Sequence, residues 1–371
     1  MRKALILGVG PAQLDAIRYL KREGWWVIAC SHVRQGPGLH ISDQFELINI
    51  TDVDALERLA RSENVELIYS VGSDLAMPSV AEVAERIGLR SFISPDVAKI
   101  LQDKTLLRDF LEARRISPVR YRRIRTPADV ESWNAFPVMV KPADSQGQRG
   151  VFRAESLKDA LDRVHEALAF SRSGTVILEE FLEGPEISAN IFLVEGQMVV
   201  NEISDRLVVE NFPGGIPRGH NLPSTIAPDE VLRQTRKLIE KCVVALGIKE
   251  GPVYFQLKLT SSGPRIIEIT PRLDGCHIWR LIREVRGIDL LDASFRLLSG
   301  GTLGDLGGSQ QAETASLMFF LQPPGAEFLE GNHPAPDSAL YVEYYLRNGQ
   351  MVPPVNGHLE KVGYYITREL P

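Results

Sequence analysis

Lys141 ends an apolar run, Phe136-Pro-Val-Met-Val-Lys141, and is followed by the loop Pro142-Ala-Asp-Ser-Gln-Gly-Gln-Arg-Gly150-Val. The run reads as a strand that delivers a lysine at its end, and the two glycines let backbone amides come close to a bound anion. An ammonium beside free amides suits a polyphosphate. The order excludes the single-loop motif G-x-x-x-x-G-K-[ST], in which the lysine follows the glycines and opens a helix. Taken alone, the same residues also fit a β-hairpin turn, and the rest of the chain has to separate the two readings.

At 371 residues the chain fits two to four structural units, and its 44% hydrophobic and 24% charged residues are those of an ordinary globular protein. A formal net charge of -6 lacks the basic footprint of a nucleic-acid binder. Three scattered cysteines, Cys30, Cys242 and Cys276, argue against a disulfide framework or a paired-cysteine metal site and fit a reducing compartment. No apolar run is long enough to span a membrane, and the first residues run directly into a strand pattern, so the cytoplasm is the expected location.

Short apolar runs at Ala4–Leu7, Trp25–Cys30, Phe45–Ile50 and Leu67–Val71 alternate with helical periodicity at Leu14, Ile17, Leu20 and at Leu56, Leu59, Val80, Val83, Ile87. That alternation predicts a parallel sheet wrapped by helices. The first turn, Gly8-Val-Gly10-Pro-Ala-Gln13, resembles the opening of a dinucleotide fingerprint, but Gln13 takes the place of the third glycine. A tight strand-to-helix turn, with or without an anion at the helix end, is the competing reading. One helix is expected from the Ser94-Pro95 cap to Leu111, carrying Asp103-Lys104 on the way. A compact unit of strands and one helix follows over about 118–182, then further strands, a helix over Pro228–Leu246, and strands at Val253–Leu259 and Arg265–Thr270. The last part, rich in glycine and proline, ends in three strand-like stretches. Expected boundaries are a parallel αβ domain over 1–94, a central α+β domain over 95–300 with a lid over about 118–182, and a β-rich segment over 301–371.

Chemistry-bearing residues follow the lysine loop in a fixed order. Glu179-Glu180-Phe181-Leu182 leaves the lid, and Gly184-Pro-Glu186 opens a new strand with an acid; carboxylates and a free backbone edge suit an adenine amino group and ribose hydroxyls. In Tyr254-Phe-Gln256-Leu-Lys258 and Ile266-Ile-Glu268-Ile-Thr270-Pro-Arg272, alternation puts Gln256 with Lys258, and Glu268 with Thr270, on one face. If the strands pair across Ser261-Ser-Gly-Pro264, oxygen-bearing side chains converge as Mg²⁺ requires. Arg206, Arg218 in the loop from Phe212 to His220, and Arg272 have the planar donors that grip a carboxylate or a transferring phosphoryl group. No histidine pair has metal-ligand spacing.

Taken together, Lys104, Lys141-Pro with the loop through Ser145, Gln146, Gly147 and Gly150, Glu179-Glu180-Phe181-Leu182, Glu186, Gln256, Glu268 and Pro271-Arg272 resemble the ATP-grasp superfamily. The lysine loop looks like the carbamoyl phosphate synthetase and biotin carboxylase branch. The resemblance implies an ATP-grasp fold with an N-terminal parallel αβ domain, a lid and a mixed C-terminal domain ending in β-rich structure. It implies that Lys104 and Lys141 contact ATP phosphates under the loop, Glu179 to Leu182 hold adenine, and Glu186 holds ribose. Gln256, Glu268 and Thr270 would bind Mg²⁺, or Mn²⁺ in its place, with Arg272 at the acyl-phosphate site. Thr270 departs from the family's usual asparagine, which leaves one or two metal ions open. The implied activity is an ATP-dependent, ADP-forming ligase joining a small-molecule carboxylate to an amine, with no nucleic-acid or membrane partner and with homodimers common among relatives. Carboxylation through carboxyphosphate, a non-catalytic ATP-binding regulator and, more distantly, a nicotinamide oxidoreductase are the alternatives.

Overall fold

The protein is described from a computed structural model covering residues 1–371 apart from 211, 213, 214, 305, 309–312, 356 and 371. The N-terminal part forms a four-stranded parallel sheet in the order β3-β2-β1-β4, from β1 (Lys3–Leu7), β2 (Trp26–Cys30), β3 (Gln44–Glu46) and β4 (Leu67–Tyr69). Helices α1 (Pro11–Arg22), α2 (Val53–Ser62) and α3 (Met77–Ile87) connect them. The strand expected over Phe45–Ile50 is shorter, ending at Glu46.

The βα turn after β1 answers the dinucleotide question. The Gln13 side chain lies over Gly8 and Gly10, where its Oε1 accepts from the Gly10 amide at 2.9 Å and its Nε2 donates to the Val71 carbonyl. The amide that a phosphate would use is therefore already bonded, and the turn is a packing device.

The single helix expected from Ser94 to Leu111 is two: α4 (Pro95–Gln102) and α5 (Lys104–Ala113). Asp103 adopts an extended conformation (φ −99°, ψ 116°) and its carboxylate accepts from the Thr105 and Leu106 amides. An aspartate that caps a new helix ends the old one, because its own backbone cannot stay helical. Lys104 thus opens α5.

The second sheet, β5-β8-β6-β7, is antiparallel and comprises β5 (Tyr121–Ile124), β6 (Val138–Pro142), β7 (Phe152–Ala154) and β8 (Val176–Glu180), backed by α6 (Leu157–Leu168). It has its own core, around Trp133, Val140, Val164 and Leu178, separate from the main core.

The third sheet has eight antiparallel strands in the order β13-β12-β9-β10-β11-β14-β16-β15. They are β9 (Glu186–Val194), β10 (Gln197–Val208), β11 (Pro217–Leu222), β12 (Gly251–Thr260), β13 (Gly263–Thr270), β14 (Ala315–Gln322), β15 (Tyr341–Tyr344) and β16 (Glu360–Thr367). The three C-terminal strands extend this sheet. Helices α7 (Asp229–Leu246), α8 (Ile278–Arg286) and α9 (Leu290–Leu298) complete the fold, and the last two were not visible as separate helices in the sequence pattern.

Side-chain alternation makes the two faces of this sheet chemically different. Ile187, Ala189, Ile191, Val253, Phe255, Leu257, Ile266 and Ile269 point into the main core. Glu186, Ser188, Asn190, Ser204, Arg206, His220, Tyr254, Gln256 and Thr270 are also buried, and alternation gathers them on the other face. A bulge at Gln256/Leu257 in the β12–β13 ladder absorbs one residue, so that Ile266 and Glu268 face opposite ways. Glu186, Arg206, Gln256, Ser188 and Tyr254 find partners on that face, whereas Asn190 Nδ2, His220 Nε2 and the Thr270 hydroxyl have none among the described residues.

Candidate active site

Lys104 is tied to the glycine loop: its amide donates to the Ala143 carbonyl at 2.9 Å and its ammonium to the Ser145 carbonyl at 2.7 Å. Arg108, one helical turn further on the same face of α5, reaches Glu179 at 2.7 Å and the Ile266 carbonyl at 2.8 Å. Lys141 meets the other oxygen of Glu179 at 2.5 Å. Burial alone would raise the Glu179 carboxyl, but the two cations prevail and hold it well below the usual carboxylate range.

Among the candidates for holding adenine, Glu179 has its carboxylate paired with Arg108 and Lys141 and its backbone in the β8 ladder between β5 and β6. Glu180 accepts from the Arg120 amide at 3.0 Å, Phe181 lies under the Arg153 guanidinium at 4.3 Å, and Leu182 is half-buried.

The loop after β6 is pinned at both ends. Gln146 accepts from the Leu75 amide at 3.2 Å, Gln148 donates to the Gly215 carbonyl at 2.5 Å, and Ser145 donates to the Arg149 carbonyl at 3.0 Å. Gly150 has φ +72°, and a Cβ there would come within 2.8 Å of Phe170 and Pro142, so both backbone and space require glycine. Gly147 has φ +66° with open space around it.

On the polar sheet face Glu186 accepts from Arg206 at 3.0 Å and from the Gln256 amide nitrogen at 2.8 Å, with Lys258 at 3.4 Å from its second oxygen. Gln256 and Glu268 are cross-strand neighbours, as are Tyr254 and Thr270. The expected hairpin across Ser261–Pro264 is present. Glu268 has no hydrogen bond or ion pair among the described residues, and the buried Thr270 hydroxyl has no partner. Arg272 pairs with Asp74 at 2.5 Å and donates to the Leu273 carbonyl at 3.0 Å. Burial raises the Asp74 carboxyl above its usual range; Arg272 opposes this and Glu268 adds to it, which puts the three groups side by side.

The three arginines grouped in the sequence have different surroundings. Arg206 and Arg272 are buried and paired with different acids, whereas Arg218 is exposed on β11 with no side-chain partner among the described residues. Pro213 and Gly214 of the same loop lie outside the described residues. Two residues escaped the sequence reading. Asp74 follows a parallel strand at its carboxyl end, where open α/β sheets place ligands, and Arg108 sits four residues after Lys104. Both signals were available.

A family profile described as an ATP-grasp domain matches residues 134–279. That stretch, under half of the chain, is similar to an ATP-grasp domain. The overall fold of the chain is that of L-amino acid ligase from Bacillus licheniformis, with a TM-score of 0.82, 18% identity, and coverage of 99% of this chain and 93% of that one. The uncharacterized protein y4rH of Sinorhizobium fredii is 24% identical over 99% of this chain and 78% of its own length. Human carnosine synthase 1 is 29% identical over 37% of this chain, a match that takes in only 16% of that longer protein.

Proposed function

We propose that the protein is an ATP-dependent ligase that joins a small-molecule carboxylate to an amine and releases ADP and phosphate. The observation that carries this is the buried polar face beside an ATP-grasp lysine loop, with Lys104, Lys141 and Arg272 brought to it from three separate segments. Named similarities to a synthase and an amino acid ligase support the reading.

In this reading Lys104 and Lys141 neutralise the phosphates, the amides of the loop over Ser145–Gly150 cover them, the segment Glu179–Leu182 holds adenine through the backbone of Phe181 and Leu182 just past β8, and Glu186 holds the ribose. A divalent ion fits the oxygens left over: the unpaired Glu268 carboxylate, the orphaned Thr270 hydroxyl, and the Gln256 carbonyl oxygen, whose amide nitrogen is already given to Glu186. Mg²⁺ or Mn²⁺ held there would neutralise phosphate charge. The substrate carboxylate attacks the γ-phosphorus and the bond to the β-phosphate oxygen breaks, giving an acyl phosphate and ADP. The amine then attacks the acyl carbon and phosphate leaves. Arg272, held by Asp74, stabilises charge on the transferring group, so catalysis is positioning and electrostatics rather than covalent chemistry.

The test is ADP and phosphate release with Mg²⁺-ATP across a matrix of carboxylates, amines and bicarbonate, with mass spectrometry of products. Release that needs both a carboxylate and an amine, with a product lighter than their sum by one water, supports the ligase. Release with bicarbonate and a single acceptor replaces it with carboxylation, and nucleotide binding without release from any pair overturns turnover altogether.

A further inference from the structure

The loop over 271–277, between β13 and α8, is fixed from three parts of the chain. The Leu273 carbonyl accepts from the Gly72 amide at 3.1 Å, and Gly275 lies against Gly72. His277 takes a left-handed conformation (φ +57°), uncommon for a residue with a side chain. Its Nδ1 lies 3.0 Å from the Asp15 carboxylate, its Nε2 2.8 Å from the Tyr345 hydroxyl, and its ring stacks on Tyr364 at 4.5 Å. Such backbone persists only where the surroundings over-determine it.

Two buried side chains of this loop each keep one polar atom unused. Asp274 is 2% exposed; its Oδ1 accepts from the Cys276 amide at 2.6 Å and from the Ile278 amide, the first of α8, at 3.3 Å, while its Oδ2 has no partner. Arg272 spends both terminal nitrogens, one on Asp74 at 2.5 Å and one on the Leu273 carbonyl at 3.0 Å, and its Nε–H has no partner. Arg272 and Asp274 sit two residues apart and feel each other electrostatically, yet no hydrogen bond or ion pair joins them among the described residues. Burial raises the Asp274 carboxyl, opposed by the two amides, His277 and Arg272. A buried carboxylate oxygen without a donor is costly, and an N–H arriving with a ligand removes that cost.

The polarity of the visitor follows. The first amide of α8, which could otherwise draw an anion, is taken by the protein's own carboxylate, so what remains beside Arg272 is an acceptor, and an acceptor calls for a donor. We propose that Asp274 receives the amino group of the acceptor substrate, its Oδ2 taking an N–H and aiming the nitrogen at the acyl phosphate beside Arg272. Orientation of this kind is what converts two bound substrates into a reacting pair. It rests on the ligase reading above, and the experiment separates the two.

Asp274→Asn is the informative variant, because asparagine keeps an oxygen for the Cys276 and Ile278 amides and puts an NH2 group where Oδ2 stands. Kinetics are measured with the amine and carboxylate that the ADP-release matrix identifies, and with hydroxylamine, which is uncharged at neutral pH, in place of the amine. The KM for the amine should rise at least about 30-fold, as for a lost buried charge contact, and that for hydroxylamine about tenfold or less. The KM for ATP should stay within about twofold and the melting temperature within about 2 °C. Equal rises for ATP and amine with a lower melting temperature would make Asp274 a structural residue only. A higher Mg²⁺ requirement would make it a metal ligand, and an amine KM within about threefold would leave Oδ2 to a buried water; each of these overturns the assignment while the ligase stands.

A second readout needs no turnover. Ethylammonium chloride should raise the melting temperature of the wild type with a saturable dose curve, relative to tetramethylammonium chloride at equal ionic strength, and should not do so in Asp274→Asn, since the tetramethyl ion has no N–H to give. Stabilisation without ADP release from any pair would refute the ligase and leave the amine site in place; absence of stabilisation overturns the site.

Discussion

Lys141→Met tests the proposal that this ammonium meets a triphosphate. In the native protein Glu179 is shared between Lys141 at 2.5 Å and Arg108 at 2.7 Å, so removing Lys141 leaves the carboxylate paired. The folding cost is one charged hydrogen bond, about 1.5–3 kcal/mol. At an unfolding entropy of about 2.1 cal/mol/K per residue, 371 residues give roughly 0.8 kcal/mol/K, so the melting temperature falls by about 2–4 °C. Nucleotide loses a partly buried ionic contact, about 2–5 kcal/mol, which is about 30-fold to about 5,000-fold in Kd. Arg108→Met inverts the pattern. It strips Glu179 of its more deeply buried partner and α5 of its bond to the Ile266 carbonyl, about 3–5 kcal/mol or about 4–6 °C, while Lys141 remains. Titration calorimetry with a non-hydrolysable Mg²⁺-ATP analogue and thermal unfolding of both variants would decide it. A Lys141→Met protein that binds within threefold of wild type, or an Arg108→Met protein that loses more affinity than Lys141→Met, refutes the assignment of Lys141 to phosphate.

Glu268→Gln should lower ADP release by at least about 100-fold and raise the Mg²⁺ concentration for half-maximal rate, since it removes the one unpaired carboxylate of the oxygen set. Thr270→Asn should preserve or raise activity, because an amide oxygen ligates at least as well as a hydroxyl; a large loss would give the threonine a role of its own. Gly72→Ala should cost about 1–3 kcal/mol and depress kcat, because at φ +69° its Cβ would lie 2.7 Å from the Ala12 Cβ and 2.9 Å from the Gly275 Cα, forcing apart the loops that carry Asp74 and Arg272. Glu179 has a depressed carboxyl, so its stabilisation is fully present above the unfolded value of about 4.3 and is lost as pH falls below it. Urea unfolding of wild type should weaken more steeply than that of Glu179→Gln between pH 5 and 3, and equal slopes would contradict the pairing.

The residues along the groove were legible because each motif carries its own periodicity. Alternation in Tyr254–Lys258 and Ile266–Thr270 predicted which side chains share a face, and the structure pairs Gln256 with Glu268 as that required. Contacts between distant segments were not legible. Nothing local says that Glu179 will find Arg108, 71 residues earlier, or that Arg272 will find Asp74. The helix break at Asp103 was missed for a different reason: the apolar periodicity of α4 runs on into α5, and only the capping aspartate announces the turn. Arg218 is grouped with Arg206 and Arg272 for its planar donors, and in the structure it is exposed where they are buried.

In the N-terminal αβ part a side chain takes the place an anion would have at the first βα turn. In a dinucleotide fold the first βα turn binds phosphate through a free helix-end amide; here Gln13 bonds that amide and reaches across to the Val71 carbonyl at the end of the β4 segment. The same side chain thus closes one ligand position and steadies another, because Val71 leads directly into Gly72, whose amide donates to the Leu273 carbonyl at 3.1 Å, and then into Asp74. Through that contact the parallel sheet holds the Asp74–Arg272 pair against the eight-stranded sheet. Replacing Gln13 by glycine, the residue of the dinucleotide pattern, is therefore expected to loosen the Asp74 loop and lower kcat while conferring no nicotinamide binding. Quenching of added NADH fluorescence by the Gln13→Gly protein, with ligase activity intact, would show that the turn had kept its anion site and that Asp74 is positioned by something else.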